Sequence, residues 1–254
     1  MERKDGLSFV FKLYLGDICK LNYDVKKDQD DVLVKVIDYE VKGDEYFITT
    51  ELDYKGNPKY STMISKLSNY IYRNDFIVNI IHNEFKININ QQMMILCHTR
   101  SMLQYLFNKI NELATLSVGF YIGGMKKDDL KISESKQVIL ATYQMAAEAL
   151  DIKSLTSLLL ATPKTDIVQA VGRILREKHK NPLVIDIVDT HNCFQNQFNK
   201  RKTFYNKNNY KILRINSDNY LKNDNYLWSD IKKKSKKLDT KEDTQHEVEK
   251  KCLI

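Results

Sequence analysis

The sequence is poor in the residues that break or staple a chain. Eight glycines and three prolines in 254 residues argue against a loop-rich or fibrous architecture. The four cysteines, Cys19, Cys97, Cys193 and Cys252, are scattered with no CxxC pair. That excludes a disulfide framework and a cysteine zinc site, and it makes a reducing compartment the default. His191 and Cys193 form the one close His/Cys pair, and two ligands do not make a metal site. No apolar run reaches the roughly 18 residues that a membrane span needs. The first residues, Met1 to Gly6, are polar, so no secretory leader is expected. Cys252 stands third from the last residue, where a prenylation box needs it fourth. A soluble, unanchored protein without internal repeats is expected.

What is present is charge and a core. The length fits one large domain with extensions, long enough to bury a core without staples. The net charge is +7 and the pI about 9.0, a balance that favours polyanionic partners, nucleic acid first. A merely lysine-rich surface would give the same balance. The abundance of Lys, Asn, Ile and Tyr also carries the mark of an AT-rich genome.

Hydrophobic patterning predicts the elements. Val32–Ile37 and Tyr46–Thr50 read as strands around a Lys42–Glu45 turn, and Lys55-Gly56-Asn57-Pro58 is a further turn. Ser61–Glu84 has helical periodicity, with a break suggested at Asn74-Asp75. Met93–Cys97, Val118–Tyr121, Val138–Thr142, Ser157–Ala161 and Leu183–Val188 are unbroken apolar runs that alternate with helical or polar segments. Strands buried on both faces look like that, so an α/β parallel sheet with helices on both faces is expected, with function in the loops at the carboxyl ends of its strands. A helix is predicted over Thr190–Asn206. Beyond about residue 216 the chain turns polar and lysine-rich and reads as a flexible tail.

The segment with most chemistry is Thr165 to Glu177. Thr165 or Asp166 can cap a helix. Gln169, Arg173 and Arg176 then share one face at i, i+4 and i+7, while Val168, Val171, Ile174 and Leu175 form an apolar side. Gly172 costs a helix about 1 kcal/mol relative to Ala, which makes sense where something must approach the backbone closely. Paired guanidiniums suit phosphate and can neutralise charge developing on a transferred γ-phosphoryl group. A surface helix with salt-bridging arginines fits the same residues. The strand ending in Thr142 leads into Tyr143 to Asp151; a hydroxyl at a strand end can bind a backbone phosphate, and Asp151 can accept from a ribose hydroxyl or pair with an arginine. His98-Thr99-Arg100 is another polar strand-end loop with a cation, although a lone histidine is more often structural. Gly123-Gly124-Met125-Lys126-Lys127 is either a phosphate-contacting loop or a plain turn.

The order of these segments resembles the C-terminal, RecA-like lobe of superfamily 2 helicases. His98-Thr99-Arg100 matches motif IV. Ala141-Thr142 through Glu148-Ala149-Leu150-Asp151 matches motif V, with Ala149 where the family commonly has Gly. Gln169-Ala170-Val171-Gly172-Arg173-Ile174-Leu175-Arg176 matches motif VI. Arg3 to Gly16, Asp186–Asp189 and Arg201–Tyr205 look like the branch that includes the poxvirus transcript-release helicase, its giant-virus relatives, the phage recombination helicase and the XPB-type repair helicase. The similarity covers roughly residues 2 to 212.

The resemblance implies roles. Arg173 and Arg176 would be arginine fingers on ATP, and Gln169 would position nucleotide and water. Asp151, Glu148 and Gly172 would belong to the ATP site. Thr142, His98, Thr99, Arg100, Gly123, Gly124 and Lys126 would contact DNA or RNA. ATP with Mg²⁺ would be shared with an N-terminal RecA-like lobe, because no GxxxxGK[ST] loop and no DExH carboxylate motif occurs here. By this reading the chain alone is inactive. Viral transcription machinery is an expected partner, a cytoplasmic viral factory or virion an expected location, and no membrane is involved. The expected domains are an N-terminal β-rich strand/helix segment (1–85), the lobe with its three motifs (86–212) and a polar basic tail (213–254). The alternative is a non-catalytic nucleic-acid or transcription-complex binding module that keeps the fold.

Overall fold

The computed structural model describes residues 10, 13–14, 32–148, 152–174, 179, 181–222 and 227–231, apart from the side chains of residues 147 and 148. The chain divides into two compact units, Met1–Asp30 and Asp31–Ile254. In the first, the described residues 10, 13 and 14 are helical.

In the second unit strands and helices alternate. They run β1 (Leu33–Tyr39), α1 (Glu45–Ile48), α2 (Tyr60–Asn69), α3 (Ile71–Ile87), β2 (Met93–Cys97), α4 (Arg100–Glu112), β3 (Val118–Tyr121), α5 (Lys127–Glu134) and β4 (Val138–Thr142). They continue with α6 (Tyr143–Glu148), β5 (Ser157–Leu160), α7 (Val168–Ile174), β6 (Leu183–Asp189), α8 (Asn192–Lys207), β7 (Lys211–Asn216), α9 (Ser217–Leu221) and β8 (Ser229–Asp230). The strands form one sheet in the order β3-β4-β2-β5-β6-β1-β7-β8. β1 to β7 are parallel and β8 closes the edge antiparallel to β7.

Alternate strand residues serve opposite faces. Ile37, Ile95, Leu140, Leu159 and Ile185 pack with side chains of α2, α3 and α4 in one core. Val36, Leu96, Ala141, Leu160 and Val184 pack with α7 and α8 in the other. The apolar runs that read as strands are therefore buried twice over, as a parallel sheet requires. Gly119 makes this close: a Cβ there would stand 2.9 Å from Ser133 Oγ and 3.1 Å from Ser133 Cα, so β3 and α5 touch through the missing side chain. Among the described residues no helix is long and apolar enough to cross a membrane.

Four expectations need correction. Tyr46–Thr50 is not a strand; Glu45–Ile48 is a helical turn, because the Asp44 carboxylate accepts from Phe47 N at 3.0 Å and Phe47 is driven into the core. Among the described residues of 1–85 the one strand is β1, and residue 85 is no boundary of the sheet, since β1 lies inside it between β6 and β7. The long helix breaks at Tyr70, not at Asn74-Asp75: Tyr70 stays extended while its hydroxyl donates to Asp44 Oδ2 at 2.8 Å and its ring packs on Phe47. The tail begins later than residue 213. Lys211–Asn216 pairs with β1, burying Ile212 and Ile215, and Arg214 Nη2 donates to Asp38 Oδ1 at 2.7 Å.

Candidate functional site

Seven parallel strands put seven carboxyl ends on one edge of the sheet. The loops predicted to carry function all lie there. Thr142 ends β4 in register with Cys97, the last residue of β2, so it sits beside the loop His98-Thr99-Arg100. Tyr121 ends β3 in register with Ala141, which brings in the turn at Gly123 and Gly124. Gly124 has φ +88° with open space around it, a conformation that glycine adopts without strain.

These loops touch one another. Arg100 Nη2 donates to Gly123 O at 2.7 Å. A Cβ on Gly123 would stand 3.7 Å from that Nη2 and 3.9 Å from Met145 Sδ, ordinary contacts. Helix α4 starts at Arg100 with no side-chain cap from Thr99, and its first-turn N–H groups and the exposed Arg100 make this end electropositive. The Thr99 hydroxyl points inward, buried and without a hydrogen-bond partner among the described residues. The start of α5 is different. Asp128 and Asp129 in its first turn already complement the helix dipole beside the exposed Lys126, which favours the plain-turn reading of that loop over a phosphate cradle.

His98 is more embedded than a surface ligand. Its N–H donates to Thr162 Oγ1 at 3.1 Å, and its Nδ1 lies 2.7 Å from the same oxygen. Its ring packs on Tyr143 at 4.8 Å and edge-on to Tyr60 at 5.9 Å. Burial, with the positive charge of Lys164 adding to it, pulls its pKa down to about 4. The ring is therefore neutral near pH 7. Which of Nδ1 and Thr162 Oγ1 donates in that contact depends on the ring's tautomer. The neighbouring Cys97 thiol is pushed up to about 12 by burial, so it is a packing group and not a nucleophile.

Helix α7 follows the β5 loop and carries Gln169 and Arg173 one turn apart. Asp166 Oδ1 accepts from Val168 N at 3.3 Å, from one residue ahead of the N-cap position at Ile167. Ala170, Val171 and Ile174 are buried against the sheet, whereas Gln169 and Gly172 are exposed and Arg173 half-buried. Arg173 lies within electrostatic reach of Tyr121, whose hydroxyl burial pushes up and the Arg173 charge pulls down. No atom comes within 4 Å of a Cβ placed on Gly172, so among the described residues the missing side chain serves no packing contact. Asp151 and Arg176, and the side chain of Glu148, lie outside the described residues.

Comparison with known proteins fits this arrangement. No protein-family model matches the chain. It is 36% identical over 234 residues, 90% of its own length, to "Putative ATP-dependent RNA helicase L396" of Acanthamoeba polyphaga mimivirus. This chain resembles a viral helicase. It spans 44% of that relative's length. Among solved structures it is similar to T4 UvsW (TM-score 0.57, 18% identity, covering 73% of this chain and 42% of that one). It is also similar to the C-terminal domain of the DEAD-box protein Dbp5 (TM-score 0.52, 13% identity, covering 75% of this chain and 93% of that one). The fold is that of a RecA-like helicase domain.

Sequence reasoning did not single out Thr162. Ala161-Thr162 at the end of β5 repeats Ala141-Thr142 at the end of β4, and that repetition is the one signal the sequence offered.

Proposed function

We propose that this chain is the second RecA-like lobe of an ATP-dependent superfamily 2 helicase or translocase, of the branch related to the poxvirus transcript-release and XPB-type helicases. The observation that carries this reading is the placement of α7. Its Gln169–Arg173 face and the loops at 98–100 and 142 sit on successive strand ends of one sheet edge, so a nucleotide and a nucleic-acid backbone can be held at the same time.

In this reading His98, Arg100, Thr142 and the uncapped start of α4 hold phosphates of DNA or RNA. Such contacts position a strand without reading its sequence. Lys126 adds charge at the rim, Gly123 and Gly124 shape the turn, and Thr99 contributes through its main chain. Arg173, with Arg176, places guanidinium charge on the γ-phosphate of ATP. Gln169 orients the nucleotide and attacking water, Gly172 leaves room for the partner surface, and Glu148 and Asp151 complete the nucleotide contacts. Among the described residues no three His, Cys, Asp or Glu side chains gather to hold a metal. Mg²⁺ would enter with ATP, shared with an N-terminal lobe. Viral transcription machinery is the partner the resemblance suggests.

The test is ATP hydrolysis by this chain alone and mixed with an N-terminal lobe from the L396-like protein, with and without single-stranded nucleic acid. Hydrolysis only in the mixture, stimulated by nucleic acid, is expected. Hydrolysis by the chain alone would replace the reading.

A further inference from the structure

The loop after β5 is held at four successive carbonyls, each by a side chain from a different helix. Ala161 O accepts from Arg73 Nη1 of α3 at 2.9 Å. Thr162 O accepts from the Tyr143 hydroxyl of α6 at 2.6 Å. Pro163 O accepts from the Tyr60 hydroxyl of α2 at 2.7 Å. Lys164 O accepts from Arg201 Nη1 of α8 at 2.8 Å. The two arginines are themselves fixed, Arg73 on Asp189 and Arg201 on Asp186. Ala161 N completes the set by donating to Leu96 O at 2.9 Å. A stretch with four successive carbonyls bonded, two of them to arginines held in ion pairs, has little freedom to absorb a displacement.

Thr162 is the centre of this splint and is fully buried. His98, in the loop after β2, bonds its hydroxyl, and Tyr143, directly after Thr142 at the end of β4, bonds its carbonyl. Both loops assigned to nucleic acid thus meet on one residue. Two residues beyond Lys164 stands Asp166, whose carboxylate accepts from Val168 N, the first residue of α7.

We propose that Thr162 is a positioning residue that couples nucleic-acid binding at the 98–100 and 142 loops to the placement of helix α7 and its Arg173. The proposal rests on the helicase-lobe reading and adds a mechanism to it. Packed interiors transmit small displacements because they hardly compress. A strand seated on His98 and Thr142 shifts or stiffens two contacts of Thr162 together, and the splint passes this to the root of α7. Tyr143 is the second positioning residue, since its hydroxyl is the link from the β4 end.

Amide hydrogen exchange on this chain tests the idea without any hydrolysis. Single-stranded oligouridine and oligothymidine are the probes, used separately. In the wild type the bound oligonucleotide should slow exchange across Val168–Ile174 by roughly 2- to 30-fold, the span of coupling through packed networks. Thr162→Val keeps the volume and removes the hydroxyl. It should bind the oligonucleotide within about threefold of wild type, the scale of an indirect effect, and lose the protection of α7. Thr162→Ser should restore it. Tyr143→Phe should lose it as well, and serves alone if Thr162→Val does not melt cooperatively. Protection of α7 persisting in Thr162→Val or Tyr143→Phe would overturn the proposal, as would a wild type that binds the probe with α7 unchanged. In both cases the helicase-lobe reading survives. A wild type that binds neither probe removes that reading and the coupling with it.

Discussion

Arg201 and Asp186 face each other edge to edge in the interior, Nε 2.8 Å from Oδ2 and Nη2 2.8 Å from Oδ1. Both are essentially unexposed, and Tyr205 donates a further bond to the same carboxylate at 2.9 Å. Three residues along β6, on the opposite face of the sheet, Asp189 makes the same fork with Arg73. One strand therefore pins a helix to each face through a buried ion pair. The pairs tie α3 and α8 to the carboxyl edge where the candidate site lies.

Removing one partner of such a pair leaves a charge buried without compensation. Arg201→Met should cost about 3–5 kcal/mol of unfolding free energy. The double variant Arg201→Met, Asp186→Leu should recover most of it, since apolar replacement of a whole buried pair is often neutral. Urea melts of the three proteins decide. A single variant within about 1 kcal/mol of wild type would mean that water reaches Asp186 in solution.

The glycines separate packing from freedom. Gly119→Ala forces a Cβ against the backbone and hydroxyl of Ser133 and should destabilise by about 1–3 kcal/mol, the range for overpacking. Gly123→Ala meets only ordinary contacts and should stay within about 0.5 kcal/mol of wild type. Thermal melts that rank the two the other way would show that the β3–α5 contact is looser than described.

These residues also show what one sequence can disclose. Val138–Thr142 and Leu183–Asp189 were legible because a doubly buried strand needs an unbroken apolar run. Helix α7 was legible in part: Val171 and Ile174 are buried as read, whereas Val168, read on the same side, is exposed and Leu175 lies outside the described residues. Tyr46–Thr50 was misread because β-prone residues were overruled by one carboxylate cap and one buried phenylalanine. Residues 213–216 of β7 were read as tail because polar residues separate the buried Ile212 and Ile215. The splint could not be read at all. Arg73 meets Asp189 across 116 positions, and Tyr60 meets Pro163 across 103. Nothing local announces such pairs. Of the candidate site, the loops and α7 were found as segments, while the bonds joining them through Thr162 are a product of the fold.

His98 gives the pH dependence a sign. Its folded pKa is pulled down to about 4, from an ordinary value of 6.5. Between those values the unfolded chain binds more protons than the folded one, so stability falls as pH drops through that window. Asp44 and Asp53, held below the usual carboxylate range by backbone N–H groups, add losses only lower, below about pH 4. His98→Gln should therefore flatten the stability profile between about pH 6.5 and 4 and leave the more acidic limb in place. Denaturant melts at several pH values check this. Parallel profiles for the two proteins would show that His98 titrates normally and that the Thr162 contact is open to water.

Arg173 is the residue on which the proposed chemistry turns. In the assembled two-lobe enzyme Arg173→Ala should lower nucleic-acid-stimulated turnover by about a thousandfold or more, the scale of an arginine finger. Nucleic-acid affinity should hardly change, because the phosphate-contacting loops lie on other strand ends. Arg173→Lys should rescue little: an ammonium keeps the charge but loses the planar fork that grips phosphate oxygens in pairs. Steady-state hydrolysis with oligonucleotide titrations separates kcat from binding. If Arg173→Ala instead left turnover intact and weakened binding, α7 would be a nucleic-acid surface, and the catalytic cation would have to be sought elsewhere. Loss of both in step with a lowered melting temperature would make Arg173 a structural partner of the β3 end, where Tyr121 feels its charge.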